Sequence, residues 1–484
     1  MSFVIKNKWI FLVLILGSIL RVVFFMYGAE IYYSSSFKYV LKDTYLWQSC
    51  IENLINNGEY SLGSGIGYFA RMPGYSFFMG IFYFFSAFDW EQAHKLIAVF
   101  QTAIDICCIY IFYKLSCNIF SNHKIGLFSG FLYATYPFII VWNPICISEQ
   151  WSTFLVICTL FFFVKWNKQN HKFSLYISSF FLAIASLTRP QILPLFPILL
   201  LVIILFKRQP FFIRFKNSFF FLIIFSISFS IWPLRNYINH GELIITKNNN
   251  GISNWAPDVI SFMQYTYSVK AEWDPQYTSI INNKLTVYPS ISYENQQDSI
   301  KLERAIFLSK NCGSGFSYKK GYWKSKITKN QKNCDEEISR LFLEIRNNFI
   351  KNNPLHFYIA VPFENLKKAI FKSSLTSSNS KALSVLSKAL FFYRTLLILL
   401  GLSAILIYYK QTSQFFLICI LFFIAVYFTL CFGTAPFMRN IEMRYFLPVD
   451  ILLLLPASKI IFKLFINVKS KFYSLQHRMK SSFK

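Results

Sequence analysis

The chain has 484 residues, 55% of them apolar and only 15% charged, with 57 phenylalanines. Apolar runs of about 16–22 residues recur, which excludes a single soluble core and in lipid requires helices that close their own backbone hydrogen bonds. The formal net charge of +27 is spread as short clusters between those runs, a pattern that orients membrane helices and argues against nucleic-acid binding.

In chain order, Lys6 and Lys8 precede the first apolar run, Trp9–Tyr27, which reads as an uncleaved first span. A polar stretch over 28–72 follows, with an amphipathic piece at Tyr45–Ile55 and an Asn56-Asn57-Gly58 stop. The run Pro73–Phe88 is apolar but short; further runs lie near 93–116, 125–142, 150–164, 174–188, 191–206 and 217–234. A long hydrophilic stretch comes next. Within it Asn248–Gly251 reads as a turn, 336–350 has helical spacing, Pro354 breaks that spacing, and Phe357–Phe371 reads as an interfacial amphipathic helix. Final spans lie near 389–409, 414–432 and 445–462, before a basic tail. Eight cysteines in or beside apolar segments read as small apolar filler. Cys312 and Cys334, in the hydrophilic stretch, pair only if that stretch is extracytoplasmic.

Charge counting sets the topology. With the N-terminus inside and Pro73–Phe88 not crossing, Lys114, Lys124, Lys165, Lys168, Lys172, Lys207, Arg208, Arg214, Lys216, Lys410 and the tail all fall inside. The fold class is then an all-α polytopic membrane protein with about ten transmembrane helices, juxtamembrane helices at the outer face and one extracytoplasmic α-rich domain.

Residues that played no part in this count now fall on one side: Asp43, Arg71, Glu149, Arg189, Arg235, Arg439, Glu442 and Arg444. Any one of them has an ordinary reading as a snorkelling or loop charge. Together, several arginines with two or three carboxylates at one face suit an anionic ligand, because the guanidinium fork fits phosphate oxygens. They also suit acid–base chemistry, because a carboxylate can take a hydroxyl proton. No Gly-rich phosphate loop, nucleophile elbow or paired metal-ligating histidines appear, and Asp89-Trp90-Glu91 reads as a surface turn.

Taken in order, Asp43-Thr44-Tyr45, Asn57-Gly58-Glu59-Tyr60, Arg71-Met72-Pro73-Gly74-Tyr75, Ser148-Glu149, Leu187-Thr188-Arg189-Pro190, Pro233-Leu234-Arg235-Asn236-Tyr237 and Glu442-Met443-Arg444-Tyr445 resemble the motifs of the multispanning glycosyltransferases of superfamily C. The likeness is to the bacterial branch with lipid A aminoarabinose transferase and the protein O-mannosyltransferases. It covers about 9–250 and 435–460; Met72 and Ser76 stand where relatives often have proline. The resemblance implies transfer of a hexosyl or pentosyl group from a polyprenyl-phosphate donor to a hydroxyl of a lipid, a polysaccharide such as lipopolysaccharide, or a protein. Transfer would proceed with inversion at the extracytoplasmic face of a bacterial inner membrane.

Asp43 would be the general base, and Arg71, Arg189, Arg235 and Arg444 would hold the phosphate. Tyr75, Glu149 and Tyr445 would be further substrate contacts. No cofactor is expected and no divalent metal is indicated; the partners are the lipid-linked donor, the acceptor and membrane lipids. The apolar runs and the charge count divide the chain into a membrane module (1–240, with the outer loop 28–72), which the resemblance makes the catalytic one, an extracytoplasmic domain (241–388), C-terminal transmembrane helices (389–468) and a basic cytoplasmic tail (469–484). Two other readings are a polysaccharide polymerase or ligase using lipid diphosphates, and a transporter of lipid-linked sugars with no chemistry. The transporter predicts polar residues through mid-membrane rather than at one face.

Overall fold

The computed structural model describes residues 8–33, 39–63, 67–205, 209–246, 257–269, 293–314, 329–373, 381–411, 413–433 and 442–482. The Asn248–Gly251 turn, Lys207, Arg208 and Arg439 lie outside the described residues. Among the described residues there are helices and turns and no β-strand, as the apolar runs require.

Helix α1 (Lys8–Val23) continues through a π-helical segment (Phe24–Gly28) into Ala29–Tyr33. Then come α2 (Lys42–Asn57), α3 (Pro73–Phe85), α4 (Trp90–Phe120) and α5 (His123–Ala134), with a short turn of helix at Pro137–Ile140. The membrane bundle goes on with α6 (Ser148–Gln169), α7 (Lys172–Thr188), α8 (Leu195–Leu205) and α9 (Phe211–His240). The hydrophilic stretch supplies α10 (Pro257–Val269), α11 (Gln296–Asn311), α12 (Lys329–Asn352) and α13 (Val361–Phe371). Helices α14 (Lys381–Tyr408), α15 (Ser413–Phe432) and α16 (Met443–Ser482) finish the chain.

Among the described residues five helical stretches are each long and apolar enough to cross a bilayer: Lys8–Tyr33, Trp90–Phe120, Phe211–His240, Lys381–Tyr408 and Gln414–Phe432. The chain is an all-α polytopic membrane protein. Its main core runs from Cys50 to Ala457 and is built mostly by the bundle helices. Large apolar side chains such as Phe11, Phe84, Phe212 and Leu406 remain exposed on the outer faces of those helices, where hydrocarbon takes the place of a protein partner. A separate core joins α10, α11 and α12 through Phe262, Leu302, Ile338, Phe342 and Ile345, and a disulfide joins Cys312 to Cys334 there. The other eight cysteines are free, six of them buried.

Elements agree with the sequence reading in kind and differ at their ends. The run near 125–142 is interrupted at Thr135, where Pro137 restarts the helix. The final span does not stop at 462: α16 carries the basic tail on to Ser482 despite Pro448 and Pro456. The helix over 336–350 begins seven residues earlier, at Lys329, and ends at Asn352 just ahead of Pro354.

Candidate active site

The first turn of α2 presents Asp43. Leu41 is extended, its backbone N–H donates to the Thr44 hydroxyl (3.0 Å), and the chain turns into the helix there. One turn on, Trp47 is buried and lies under the Arg71 guanidinium, 4.5 Å from the ring centroid. Gly58 ends α2 in the left-handed conformation (φ 68°), which glycine adopts without a Cβ clash.

Arg71 ends the following loop, and Pro73 opens α3 at a position where a missing N–H costs nothing. Gly74 then lies against the end of α7: a Cβ built on it falls 2.6 Å from the Thr188 amide nitrogen and 2.6 Å from its hydroxyl. Arg189 follows in extended conformation and Pro190 starts a 3-10 turn. The Thr-Arg-Pro and Arg-Met-Pro-Gly motifs are thus in main-chain contact. Glu149 sits in the first turn of α6, where the helix dipole favours a negative charge. Arg444 and Tyr445 sit in the first turn of α16.

These pieces close a cavity of about 50 Å³ lined by Asp43, Trp47, Arg71, Ser148, Glu149, Thr188, Arg189, Gln191, Arg444 and Tyr445, among others. Around it runs an alternating ionic chain. Arg71 Nη2 donates to Asp43 Oδ1 (2.9 Å) and Arg444 Nη1 pairs with Asp43 Oδ2 (2.7 Å). Arg444 Nε lies 3.5 Å from Glu149 Oε1, which Arg189 Nη1 approaches at 2.6 Å. Glu442 pairs with Arg444 from the outer side. The Tyr445 ring is shared, 5.2 Å from the Arg189 guanidinium and 5.4 Å from that of Arg444. Burial pushes the Asp43 carboxyl up, but the Arg71 and Arg444 charges outweigh it and bring the pKa down from 3.8 to about 2. Glu149 is 1% exposed, and its Oε2 has no hydrogen-bond partner among the described residues.

Six of the eight residues singled out from sequence therefore meet: Asp43, Arg71, Glu149, Arg189, Arg444 and Tyr445. Two do not line the cavity. Arg235 donates to the carbonyls of Tyr68 and Tyr60 and stacks near the Trp232 ring, so it ties the loop before Arg71 to α9. Tyr75 is fully buried and its hydroxyl donates to Gln101 Oε1 (2.8 Å), because the first turn of α3 points it into the bundle. Trp47 and Gln191 line the cavity without having been singled out; both lie within a turn of an arginine or carboxylate motif, which was the available signal.

Two buried ion pairs also escaped the sequence reading. Arg21 Nε meets Asp105 Oδ2 at 2.6 Å, with Asn143 donating to the same oxygen and Tyr133 to the other. Arg394 pairs with Asp450 at 2.7 Å, with Tyr427 donating to Oδ1. Charges are therefore not confined to one face. Both carboxylates are met on each oxygen and none of the four residues lines the cavity, so these pairs look like locks between helices, not a path across them. Among the described residues no three His, Cys, Asp or Glu side chains gather as a metal set.

The fold and this cavity define a polytopic membrane protein with an arginine–carboxylate site at one end of its bundle. A family model described as dolichyl-phosphate-mannose-protein mannosyltransferase matches residues 71–232, from Arg71 through Glu149 and Arg189, and bears out the resemblance to superfamily C. No curated protein matches the chain. Among solved structures, the oligosaccharyltransferase of Archaeoglobus fulgidus tethered to an acceptor peptide is 13% identical, with TM-score 0.51 over 96% of this chain and 50% of that one. AglB, an oligosaccharyltransferase of the same archaeon, in complex with an inhibitory peptide and a dolichol-phosphate is 15% identical, with TM-score 0.47 over 97% and 52%. ArnT from Cupriavidus metallidurans is 13% identical, with TM-score 0.32 over 86% and 72%. The chain spans about half the length of each archaeal enzyme, and at such identities the likeness concerns the fold alone.

Proposed function

We propose that this protein is a glycosyltransferase that moves a sugar from a polyprenyl-phosphate donor to a hydroxyl acceptor, with inversion, at the extracytoplasmic face of a bacterial inner membrane. The observation that carries this reading is the Asp43 carboxylate bracketed by Arg71 and Arg444 in a cavity that also holds the Glu149–Arg189 pair. The matched mannosyltransferase family model supports it from the side of sequence.

In this mechanism the acceptor hydroxyl attacks the anomeric carbon from the side opposite the phosphate and its proton passes to Asp43. A positioned general base is worth about 10²–10⁴ in rate. The lipid phosphate leaves, and guanidinium groups fixed in advance around it stabilise the developing charge. Arg71, Arg189 and Arg444 fill that role. Arg235 acts indirectly by holding the loop that delivers Arg71, and Tyr75 by anchoring α3. The unpartnered Oε2 of Glu149 accepts a hydrogen bond from a sugar hydroxyl while Oε1 orients Arg189. The module 1–240 and the helices from 389 build this site together.

The test is transfer from polyprenyl-phosphate sugars by the purified protein in lipid. Asp43→Asn is expected to lose about 10²–10⁴ of the rate while keeping its helical content and abundance. Retention of wild-type turnover in that variant removes Asp43 from the chemistry.

A further inference from the structure

The groups that hold the base are the groups expected to hold the leaving phosphate. Asp43 has both oxygens occupied, one by Arg71 and one by Arg444. The third lining arginine, Arg189, is held by Glu149. Around Asp43, the charged and titratable side chains among the described residues are Arg71 ahead of α3, Glu442 just ahead of α16, Arg444 and Tyr445 on α16, Glu149 on α6, Arg189 after α7 and Tyr33 at the end of the first helical stretch. Among the described residues three arginines thus face three carboxylates, and their formal charges cancel before any anion arrives. The cavity, about 50 Å³, has room for a few water molecules among the ion pairs.

We propose that Arg71 and Arg444 are handed from Asp43 to the donor phosphate, so that donor binding frees the base and the leaving group receives the cations the base gives up. This rests on the glycosyltransferase reading above and adds a linkage to it. The charge balance closes. The donor phosphodiester carries one negative charge. As the acceptor oxygen bonds to the anomeric carbon, the bond from that carbon to the phosphate oxygen breaks and its electron pair stays on the phosphate, which becomes a monoester with a second negative charge. The hydroxyl proton goes to Asp43, which loses its charge. The total is unchanged, and the negative charge beside the two arginines has moved from carboxylate to phosphate.

Without a donor, Asp43 is a weak base because two cations hold it ionised. With a donor bound, those cations turn to the phosphate and the carboxylate gains proton affinity. The device ties base strength to occupancy of the donor site.

The experiment uses the full chain in lipid nanodiscs and a polyprenyl methyl phosphodiester, whose single charge does not titrate between pH 4 and 8. Asp43→Asn is expected to bind this probe about tenfold more tightly than wild type at pH 7, because the internal competitor is gone. That gain should shrink in an Arg71→Gln background and vanish when Arg444→Gln is added, since coupled residues lose additivity. Equal or weaker binding by Asp43→Asn, or a gain that survives the loss of both arginines, overturns the hand-over. If Asp43→Asn does not fold, wild type decides: affinity that strengthens as the pH is lowered from 7 to 4 supports the linkage, and a flat profile overturns it. Wild-type transfer by Asp43→Asn sinks the catalytic reading, whereas lost transfer without tighter binding sinks only the hand-over.

Discussion

Gly74→Ala adds one methyl group at the point where the two arginine motifs touch. Its Cβ would lie 2.6 Å from the Thr188 nitrogen and 2.7 Å from the Leu187 carbonyl carbon, so the main chains must part by roughly 0.8 Å to reach ordinary contact near 3.4 Å. Neither side can yield by rotating a side chain, because both are backbone. Arg71 lies three residues before the methyl and Arg189 one residue after Thr188. The separation therefore falls on their ion pairs, now 2.9 Å to Asp43 and 2.6 Å to Glu149. Overpacking of this kind costs about 1–3 kcal/mol of stability, and a misplacement near 1 Å at a reacting centre costs about 10²-fold in rate. Steady-state transfer kinetics alongside a thermal melt separates the two. The expected variant is folded and slow, with kcat reduced far more than the melting point. Turnover within about threefold of wild type would show that the contact does not set the site, and the reasoning from main-chain contact would be wrong.

The ionised Asp43 contributes about 2 kcal/mol, the value of a shift from 3.8 to about 2. Its pKa is depressed on folding, so this stability is fully present above pH 3.8 and lost as the pH falls through about 2; wild type should lose more melting temperature over that window than Asp43→Asn. Arg394→Met leaves Asp450 buried and unpaired and should cost about 3–5 kcal/mol. Adding Asp450→Leu should recover most of that, read as folded yield and melting point in detergent. Removing the Cys312–Cys334 bridge, which spans 22 residues, should cost about 3 kcal/mol in the α10–α12 domain, measured as a reductant-sensitive unfolding step that Cys334→Ser lacks.

The site was legible in the sequence because its charges sit next to span ends. Glu149 opens a helix, Arg189 closes one, Arg71 precedes a proline and Arg444 opens the last helix, so counting lysines on loops placed all of them on one side. What the sequence could not supply was direction. Arg235 shares that side, yet its guanidinium turns back to the Tyr60 and Tyr68 carbonyls. Tyr75 belongs to the same motif as Arg71, yet it points inward to Gln101, because four residues of chain turning into α3 put them on opposite sides. The Arg21–Asp105 and Arg394–Asp450 pairs were missed for another reason. Each charge alone in an apolar run passes for a snorkelling residue, and its partner lies 84 or 56 residues away. The overlooked signal was Asp105 itself, near the middle of the 31-residue apolar α4, at a depth where an isolated carboxylate is costly.

Those separations have a consequence for biosynthesis. Arg21 enters the bilayer with α1 long before Asp105 has been translated, and Arg394 enters with α14 before Asp450 exists. A lone arginine at the centre of a helix opposes insertion by about 2.5–3.5 kcal/mol, so each early helix has reason to linger at the insertion machinery until the later one arrives. Stalled nascent chains ending shortly before residue 105 or residue 450 should then crosslink to that machinery through α1 or α14, and chains carried a few dozen residues further should have left it.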